Sequence, residues 1–157
     1  ITVPKSVGQL PIYYNQKPSA IHRYVSESEN PLYTFGYGLS YTNFEYKNVK
    51  LSSSSFKGKL VVTIDVTNTG TVAGKEVVQL YIRDLVGTST RPVKELKGFQ
   101  KIELAAGETK KVSFEITPEL LKFYNTDLKY DWESGEFNVM LGPNSRDVKT
   151  LKVNWTK

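Results

Sequence analysis

Four acids gathered in one short stretch, Asp127, Asp131, Glu133 and Glu136, are the side chains best placed to do chemistry. Two carboxyl groups held a few ångströms apart can hydrolyse a bond, one as nucleophile or base and the other as acid. The sequence of this stretch predicts a β-hairpin, in which acidic side chains usually stabilise the turn or lie on the solvent-exposed face. We therefore predict no catalytic pair among these acids.

Three other reactive arrangements are incomplete. The run from Gly36 to Tyr41 begins like a dinucleotide-binding loop, but position 41 is tyrosine and no βαβ unit flanks the run. A serine triad would depend on His22, the single histidine, which we interpret as a surface linker residue. The stretch from Asp127 to Gly135 lacks the spacing of a calcium loop, and the chain has no cysteine for a thiolate metal site. We expect no catalytic residue, cofactor or metal in these 157 residues.

The densest group of large side chains lies in residues 31–46, which hold six aromatic rings and two glycines. Rings bring apolar area, and glycine lets a backbone approach another surface closely. We predict a domain interface formed by Tyr33, Phe35, Gly36, Tyr37, Gly38, Leu39 and Tyr41. The alternative is that Tyr33, Tyr37 or Tyr41 stack on sugar rings, although buried packing is the commoner fate of such side chains.

The formal net charge of +5 indicates no particular acidic partner, because the lysines are spread along predicted strands. Solvated sheet faces and the protection of sheet edges account for such a distribution. We therefore predict no nucleic-acid partner. The chain also has no run of eighteen apolar residues, so we predict no membrane partner.

Period-two alternation from about residue 44 onward predicts half-buried strands. Leu60, Val62, Ile64 and Val66 share one face, and Val78, Leu80 and Ile82 alternate with Gln79, Tyr81 and Arg83. Similar alternation follows around Phe114 and Val139, with turn signals between the strands. About seven strands in this arrangement predict an all-β, immunoglobulin-like antiparallel sandwich. Only the residues from Pro118 to Asn125 look helical, with Thr117 as a plausible N-cap.

Residues 1–43 follow a different pattern, because prolines at positions 4, 11, 18 and 31 interrupt them. An apolar cluster near residues 10–14 is too small to build a core alone. This extended N-terminal segment must pack on the sandwich, pair with a neighbouring chain or stay mobile.

Residues 91–98 are equally open to two interpretations, as a loop aimed at a neighbouring domain or as an edge strand with solvated lysines.

Several blocks, in order, resemble the C-terminal region of glycoside hydrolase family 3, the β-glucosidases and their relatives. The blocks are Pro31 to Tyr46, Val66 to Gly70, Ala73 to Ile82, Arg91 to Phe99 and Gly135 to Gly142. Upstream, Pro4 to Pro18 resembles the last strand of the family's α/β sandwich domain. The resemblance implies that residues 1–43 are the tail of that domain with a linker, and that residues 44–157 form a fibronectin type III-like domain.

The resemblance also implies a function. In this family the nucleophilic aspartate and the acid/base glutamate lie in upstream domains, and neither motif occurs here. The chain is therefore expected to be inactive alone, as an ancillary domain of a β-glucosidase that acts on terminal β-linked sugars, without a cofactor. Its expected partners are the upstream catalytic domains, and its expected location is the bacterial periplasm or the exterior.

Two other roles stay open from the sequence. A carbohydrate-binding or surface-interaction module could share the sandwich fold. Self-association would also follow if apolar rings stay exposed.

Overall fold

The computed structural model describes residues 1–18 and 28–157, so His22 lies outside the described residues. Two short 3₁₀ helices are found at Val7–Gln9 and Pro118–Leu121. The described residues form ten strands: β1 (Phe44–Leu51), β2 (Ser55–Phe56), β3 (Leu60–Asn68), β4 (Gly74–Asp84), β5 (Glu95–Leu104), β6 (Thr109–Ile116), β7 (Phe123–Tyr124), β8 (Tyr130–Asp131), β9 (Gly135–Gly142) and β10 (Lys149–Trp155).

The strands form two main sheets and one small hairpin. One sheet has the order β1-β3-β6, the other has the order β2-β10-β9-β4-β5, and β7 pairs with β8. Every pairing is antiparallel except that of β2 with β10. The predicted all-β antiparallel sandwich is confirmed.

The core lies between the two main sheets and follows the predicted alternation most closely in β3. Leu60, Val62, Ile64 and Val66 are fully buried, while the residues between them are half-buried. Each such aliphatic side chain contributes roughly 1.5 to 3 kcal/mol by leaving water. From the facing sheet, Phe137 and Trp155 pack edge to face with their ring centroids 6.3 Å apart. These large residues close the core at the end of the sandwich where β3 begins.

Strand β4 departs from the predicted alternation. The pattern placed Gln79 and Tyr81 on a solvated face, but only 5% of Gln79 and none of Tyr81 is exposed. The outer face of this sheet is covered by Tyr14 and by the loop around Gly36. The prediction of a half-buried strand was therefore wrong for β4, since its middle is buried on both faces.

The helical prediction for the residues from Pro118 to Asn125 was also too long. The 3₁₀ helix ends at Leu121, and Thr117 precedes it in extended conformation without a side-chain cap bond. The chain then enters β7, where Phe123 is buried and the Arg91 guanidinium carbon lies 4.1 Å from its ring centroid. Burial of Phe123 thus favours a strand where local propensity favoured a second helical turn.

Candidate domain-docking surface

The N-terminal segment is held together by hydrogen bonds between residues 1–9 and residues 28–33. The backbone N–H of Val3 donates to the carbonyl of Tyr33 at 2.9 Å. The side chain of Gln9, 1% exposed, donates to the carbonyl of Ser28 at 2.7 Å and accepts from the N–H of Lys5 at 2.5 Å. A buried amide satisfied on both sides fixes these two parts of the segment against each other.

Three aromatic rings attach this segment to the sandwich. Tyr14 stacks on Phe35 with ring centroids 4.1 Å apart and packs edge to face on Tyr81 at 5.9 Å. The Tyr14 hydroxyl also accepts the N–H of Leu96 at 3.3 Å. Burial raises the pKa of the Tyr81 phenol, and neighbouring Tyr14 raises it further. The segment therefore packs on the sandwich, one of the three outcomes that the sequence left open.

The amide of Gln79 fastens the loop after Phe35 to β4. Its nitrogen donates to the carbonyls of Gly36 at 3.1 Å and Pro143 at 2.5 Å, and its oxygen accepts the Tyr81 hydroxyl at 2.5 Å. Gly36 lies in the left-handed region with φ +79°, and a Cβ there would come 2.1 Å from the Gln79 oxygen. Only glycine fits this approach without a shift.

The turn that contains Gly36 is fixed from a third side. The N–H of Tyr37 donates to the carbonyl of Thr34 at 3.1 Å, which closes a four-residue turn. The loop after β9 adds two contacts: the N–H of Ser145 donates to the carbonyl of Phe35 at 2.9 Å, and the hydroxyl of Thr34 donates to Asn144 Oδ1 at 3.2 Å. The turn is thus rigid at its base.

We call residues 31–44 the collar, and its outer part is apolar and exposed. Leu39 is 90% exposed and Tyr41 is fully exposed. The rings of Tyr33 and Tyr37 lie 5.0 Å apart at 34°, with 43% of each residue exposed. None of the fourteen collar residues carries a charge. Exposed apolar side chains grouped on one uncharged segment are typical of interaction sites.

The end of the collar is anchored at the sandwich end where β3 finishes. The hydroxyl of Thr42 donates to Asn68 Oδ1 at 2.6 Å, and Asn68 is fully buried. The amide nitrogen of Asn68 donates to the carbonyls of Val72 at 2.8 Å and Leu104 at 3.1 Å. Because both ends of the collar are fixed, its exposed side chains are presented on a defined backbone.

A groove of about 440 Å³ runs between the collar and the start of β4. Tyr46 of β1 donates its hydroxyl to Glu76 Oε1 of β4 at 2.7 Å across the two sheets. Burial raises the pKa of the Glu76 carboxyl, against the opposing effect of the Tyr46 hydrogen bond. Burial also raises the pKa of Tyr46. The groove, which Lys75 also lines, therefore presents a carboxyl group beside the uncharged collar.

The predicted interface residues divide into an inner and an outer set. Phe35 and Gly36 contact the chain's own sheet, whereas the other five are more exposed. A Cβ on residue 38 would meet no heavy atom within 4 Å, so Gly38 does not need to be glycine. The sequence analysis did not assign Tyr14, Gln79 or Glu76 to this surface. Tyr14 belongs to an apolar cluster that could have indicated its role, but no local sequence signal indicated Gln79 or Glu76.

Two of the four acids in the predicted hairpin, Asp131 and Glu133, make side-chain contacts within the chain. Asp131 Oδ2 lies 2.5 Å from Lys157 Nζ, and Glu133 accepts hydrogen bonds from the N–H and hydroxyl of Thr88. Asp127 lies in the turn between β7 and β8. Within residues 1–18 and 28–157, no three His, Asp or Glu side chains are grouped to hold a metal ion.

Residues 91–98, which the sequence left open to two interpretations, combine a loop and an edge strand. Arg91 Nη2 pairs with Glu95 at 2.8 Å, and Lys94 Nζ donates to the carbonyl of Ser145 at 2.5 Å. Burial lowers the pKa of Lys94, and nearby Arg83 adds to the effect. Lys94 is therefore tied to the loop that supports the collar.

Comparison with known proteins relates the chain to a fibronectin type III-like domain and to glycosidases. A fibronectin type III-like domain model matches residues 76–145. The periplasmic β-glucosidase of Salmonella typhimurium is 48% identical over 95% of this chain and 21% of that protein. A β-xylosidase of Formosa agariphila is 42% identical over 98% of this chain and 22% of that protein. Among residues 1–18 and 28–157, no helical segment could span a lipid bilayer.

A solved structure extends the likeness to the fold. A β-glucosidase of Erythrobacter marinus superposes with a TM-score of 0.93 and 43% identity, over 99% of this chain and 21% of that one. The chain thus spans about a fifth of the length of the relatives it matches. It therefore corresponds to the C-terminal, fibronectin type III-like region of the β-glucosidases and β-xylosidases of glycoside hydrolase family 3.

Proposed function

We propose that this chain is an ancillary domain of a glycoside hydrolase that removes terminal β-linked sugars, and that it docks on the catalytic domains through the collar. The proposal rests on the exposed, uncharged outer collar, in which Leu39 and Tyr41 are the most exposed large apolar residues. An interface core is typically depleted of charge and enriched in aromatic residues. The catalytic domains of the larger relatives supply a surface to cover it.

The rigid base of the collar supports the same role. Gln79 and Asn68 fix its two ends, so little conformational entropy is lost when a partner covers the exposed rings. The division we propose is residues 1–43 as the tail of a preceding domain with its linker, and residues 44–157 as the ancillary sandwich. The interface comprises Tyr33, Phe35, Gly36, Tyr37, Gly38, Leu39 and Tyr41.

The proposed chemistry belongs to the whole enzyme. The relatives are named β-glucosidase and β-xylosidase, so the sugar removed would be glucose or xylose, and no cofactor is needed for such hydrolysis. Because one relative is periplasmic, we place the protein in the periplasm or outside the cell. The chain alone should not turn over an aryl β-glucoside. Turnover by the isolated chain at an enzymatic rate would contradict the proposal.

The docking role is tested in a hybrid enzyme, the Salmonella typhimurium β-glucosidase with its matching region replaced by this chain. We expect activity from the hybrid. A Leu39→Ser, Tyr41→Ser pair should shorten its half-life at elevated temperature about tenfold, since each substitution removes buried apolar area from the interface. The same pair should leave the unfolding midpoint of the isolated chain unchanged, because both residues are exposed there.

A matched control lies at the other end of the sandwich. Tyr124 and Leu128 are 68% and 82% exposed, and their hairpin follows Ile116, which pairs with Leu60 at the start of β3. Thr42 of the collar is bonded to Asn68 at the other end of β3, roughly 26 Å away. A Tyr124→Ser, Leu128→Ser pair should not shorten the half-life. Equal losses from both pairs would remove the case for docking through the collar.

Two further measurements address the other roles. Affinity electrophoresis in soluble β-glucan should leave the isolated chain unretarded. Retardation that is lost in Tyr41→Ser would instead support a carbohydrate-binding module.

Light scattering over a concentration series should report a monomer. A dimer that is lost in the Leu39→Ser, Tyr41→Ser variant would instead support self-association through the collar.

A further inference from the structure

The groove beside the collar opens where β4 has a neighbour on one side only. Residues 74–78 of β4 pair with β5, while the last pair that β9 makes with β4 joins Gly142 to Gln79. Among the described strands, none lies against residues 74–78 on that second side. Glu76 is half-buried at this opening, with Tyr37 and Leu39 of the collar among the groove-lining residues.

The charge of Glu76 has no counterpart within the described part of the chain. No lysine or arginine of residues 1–18 or 28–157 forms an ion pair with it. The adjacent Lys75 pairs instead with Glu103 at 3.6 Å. The Tyr46 hydroxyl satisfies one carboxyl oxygen but brings no charge. Half-burial of an acid without a cation is unfavourable, and a raised pKa of Glu76 records that cost.

We infer that this groove receives a basic side chain from the surface that covers the collar, and that Glu76 forms the ion pair with it. The inference rests on the proposed function and adds the chemistry of the partner surface: apolar around a single cation. A guanidinium group fits best, since it is planar, can stack on the neighbouring Tyr37 ring and is enriched at interfaces. Since the collar is uncharged and Lys75, the other charged residue lining the groove, pairs with Glu103, the Glu76 carboxyl is the group that orients the partner.

The substitution Glu76→Gln tests the inference, because glutamine keeps an acceptor for the Tyr46 hydroxyl and removes only the charge. In the isolated chain we expect no loss of stability. In the hybrid enzyme described above we expect the half-life at elevated temperature to fall about tenfold or more. The matched control is Glu115→Gln on the other sheet, which removes an exposed acid paired with Lys59 and should leave the half-life unchanged.

The outcomes separate the two proposals. If the Leu39→Ser, Tyr41→Ser pair shortens the half-life of the hybrid but Glu76→Gln does not, the proposed docking role is supported and the inference about Glu76 is wrong. If neither change affects the hybrid, the proposed function itself fails. A loss of stability by Glu76→Gln in the isolated chain equal to that in the hybrid would show a purely structural role and would also overturn the inference.

A direct measurement uses the isolated chain and the probe N-acetyl-L-argininamide. We expect saturable NMR shifts of the amides of Glu76, Val77 and Tyr37 on titration, with affinity reduced about tenfold in Glu76→Gln and unchanged in Glu115→Gln. The uncharged probe N-acetyl-L-glutaminamide should cause no saturable shift. Absence of saturable binding, or binding that Glu76→Gln leaves intact, would overturn the inference.

Discussion

The backbone of Gly36 approaches the side chain of Gln79 so closely that a Cβ on residue 36 would lie 2.1 Å from Oε1. The Gln79 side chain donates a hydrogen bond to the Gly36 carbonyl at 3.1 Å. The Gln79 amide therefore cannot move away from residue 36 without losing this hydrogen bond. This contact joins the collar to the middle of β4. The conformation of the exposed rings thus depends on a residue of the sheet.

Substitution of Gly36 by alanine is expected to destabilise the chain by about 1 to 3 kcal/mol, because it adds a clash and a strained positive φ. The matched control is Gly38→Ala, which meets no heavy atom within 4 Å and should change stability little. Urea unfolding followed by tryptophan fluorescence measures both. Equal effects at the two positions would show that the Gly36 contact does not constrain the collar.

The aromatic stack predicts local release of the N-terminal segment. In a Tyr14→Ala variant, the contacts with Phe35 and Tyr81 are lost. The amides of Val93 and Ser145, which donate to the carbonyls of Gln16 and Phe35, should then exchange with deuterium at least tenfold faster. The amides of β3 should keep their protection.

A neighbouring tyrosine gives the control for that experiment. Tyr13 is 53% exposed, against the stacked position of Tyr14, so Tyr13→Ala should leave the exchange of both amides unchanged. Faster exchange throughout the sheet in Tyr14→Ala would mean that the segment and the sandwich unfold together, contrary to a locally detachable segment.

The sequence predicted the burial of a strand well where one face of the strand packs on the core and no distant segment covers the other face. In β3 the alternation of Val62 and Ile64 with polar residues is enough, since one face of this sheet packs on the core and the other is only half-covered. In β4 the same alternation misled, because Tyr81 is covered by Tyr14, 67 positions earlier in the sequence. Period-two patterns report local faces and carry no information on which distant segment lies on them.

The candidate site was predictable in part for a similar reason. Ring density marked Tyr37 and Tyr41, and the glycine pattern marked Gly36, but it could not separate Gly36 from Gly38. That separation depends on the position of Gln79. Glu76 gave no local signal at all, because its burial and its bond to Tyr46 arise only when the two sheets are stacked.

Asn68 is expected to be the most sensitive polar residue at the collar end of the sandwich. It is fully buried, donates to Val72 and Leu104, and accepts from Thr42 and Gly70. Asn68→Ala should lower the free energy of unfolding by about 3 kcal/mol, since several buried groups lose partners together. In urea unfolding, the exposed Asn154→Ala control should stay within about 0.5 kcal/mol of the unsubstituted chain. A small loss in Asn68→Ala would contradict the anchoring role.

The pH dependence of stability should show the cost of the Glu76 charge. Burial raises the folded-state pKa of Glu76 above its unfolded value, so the folded state holds the proton longer and stability falls as pH rises between the two values. The neighbouring Tyr46 stays neutral in this range, because burial raises its pKa, so it does not reverse the sign. The free energy of unfolding of Glu76→Gln, minus that of the unsubstituted chain, should therefore increase as the pH rises above about 4.3, the ordinary pKa of a glutamate, and level off above the folded-state pKa of Glu76. Glu108 and Asp131, whose pKa values are lowered by hydrogen bonds, act in the opposite direction but cancel in this difference. A difference that is flat with pH would show that the Glu76 charge costs the fold nothing.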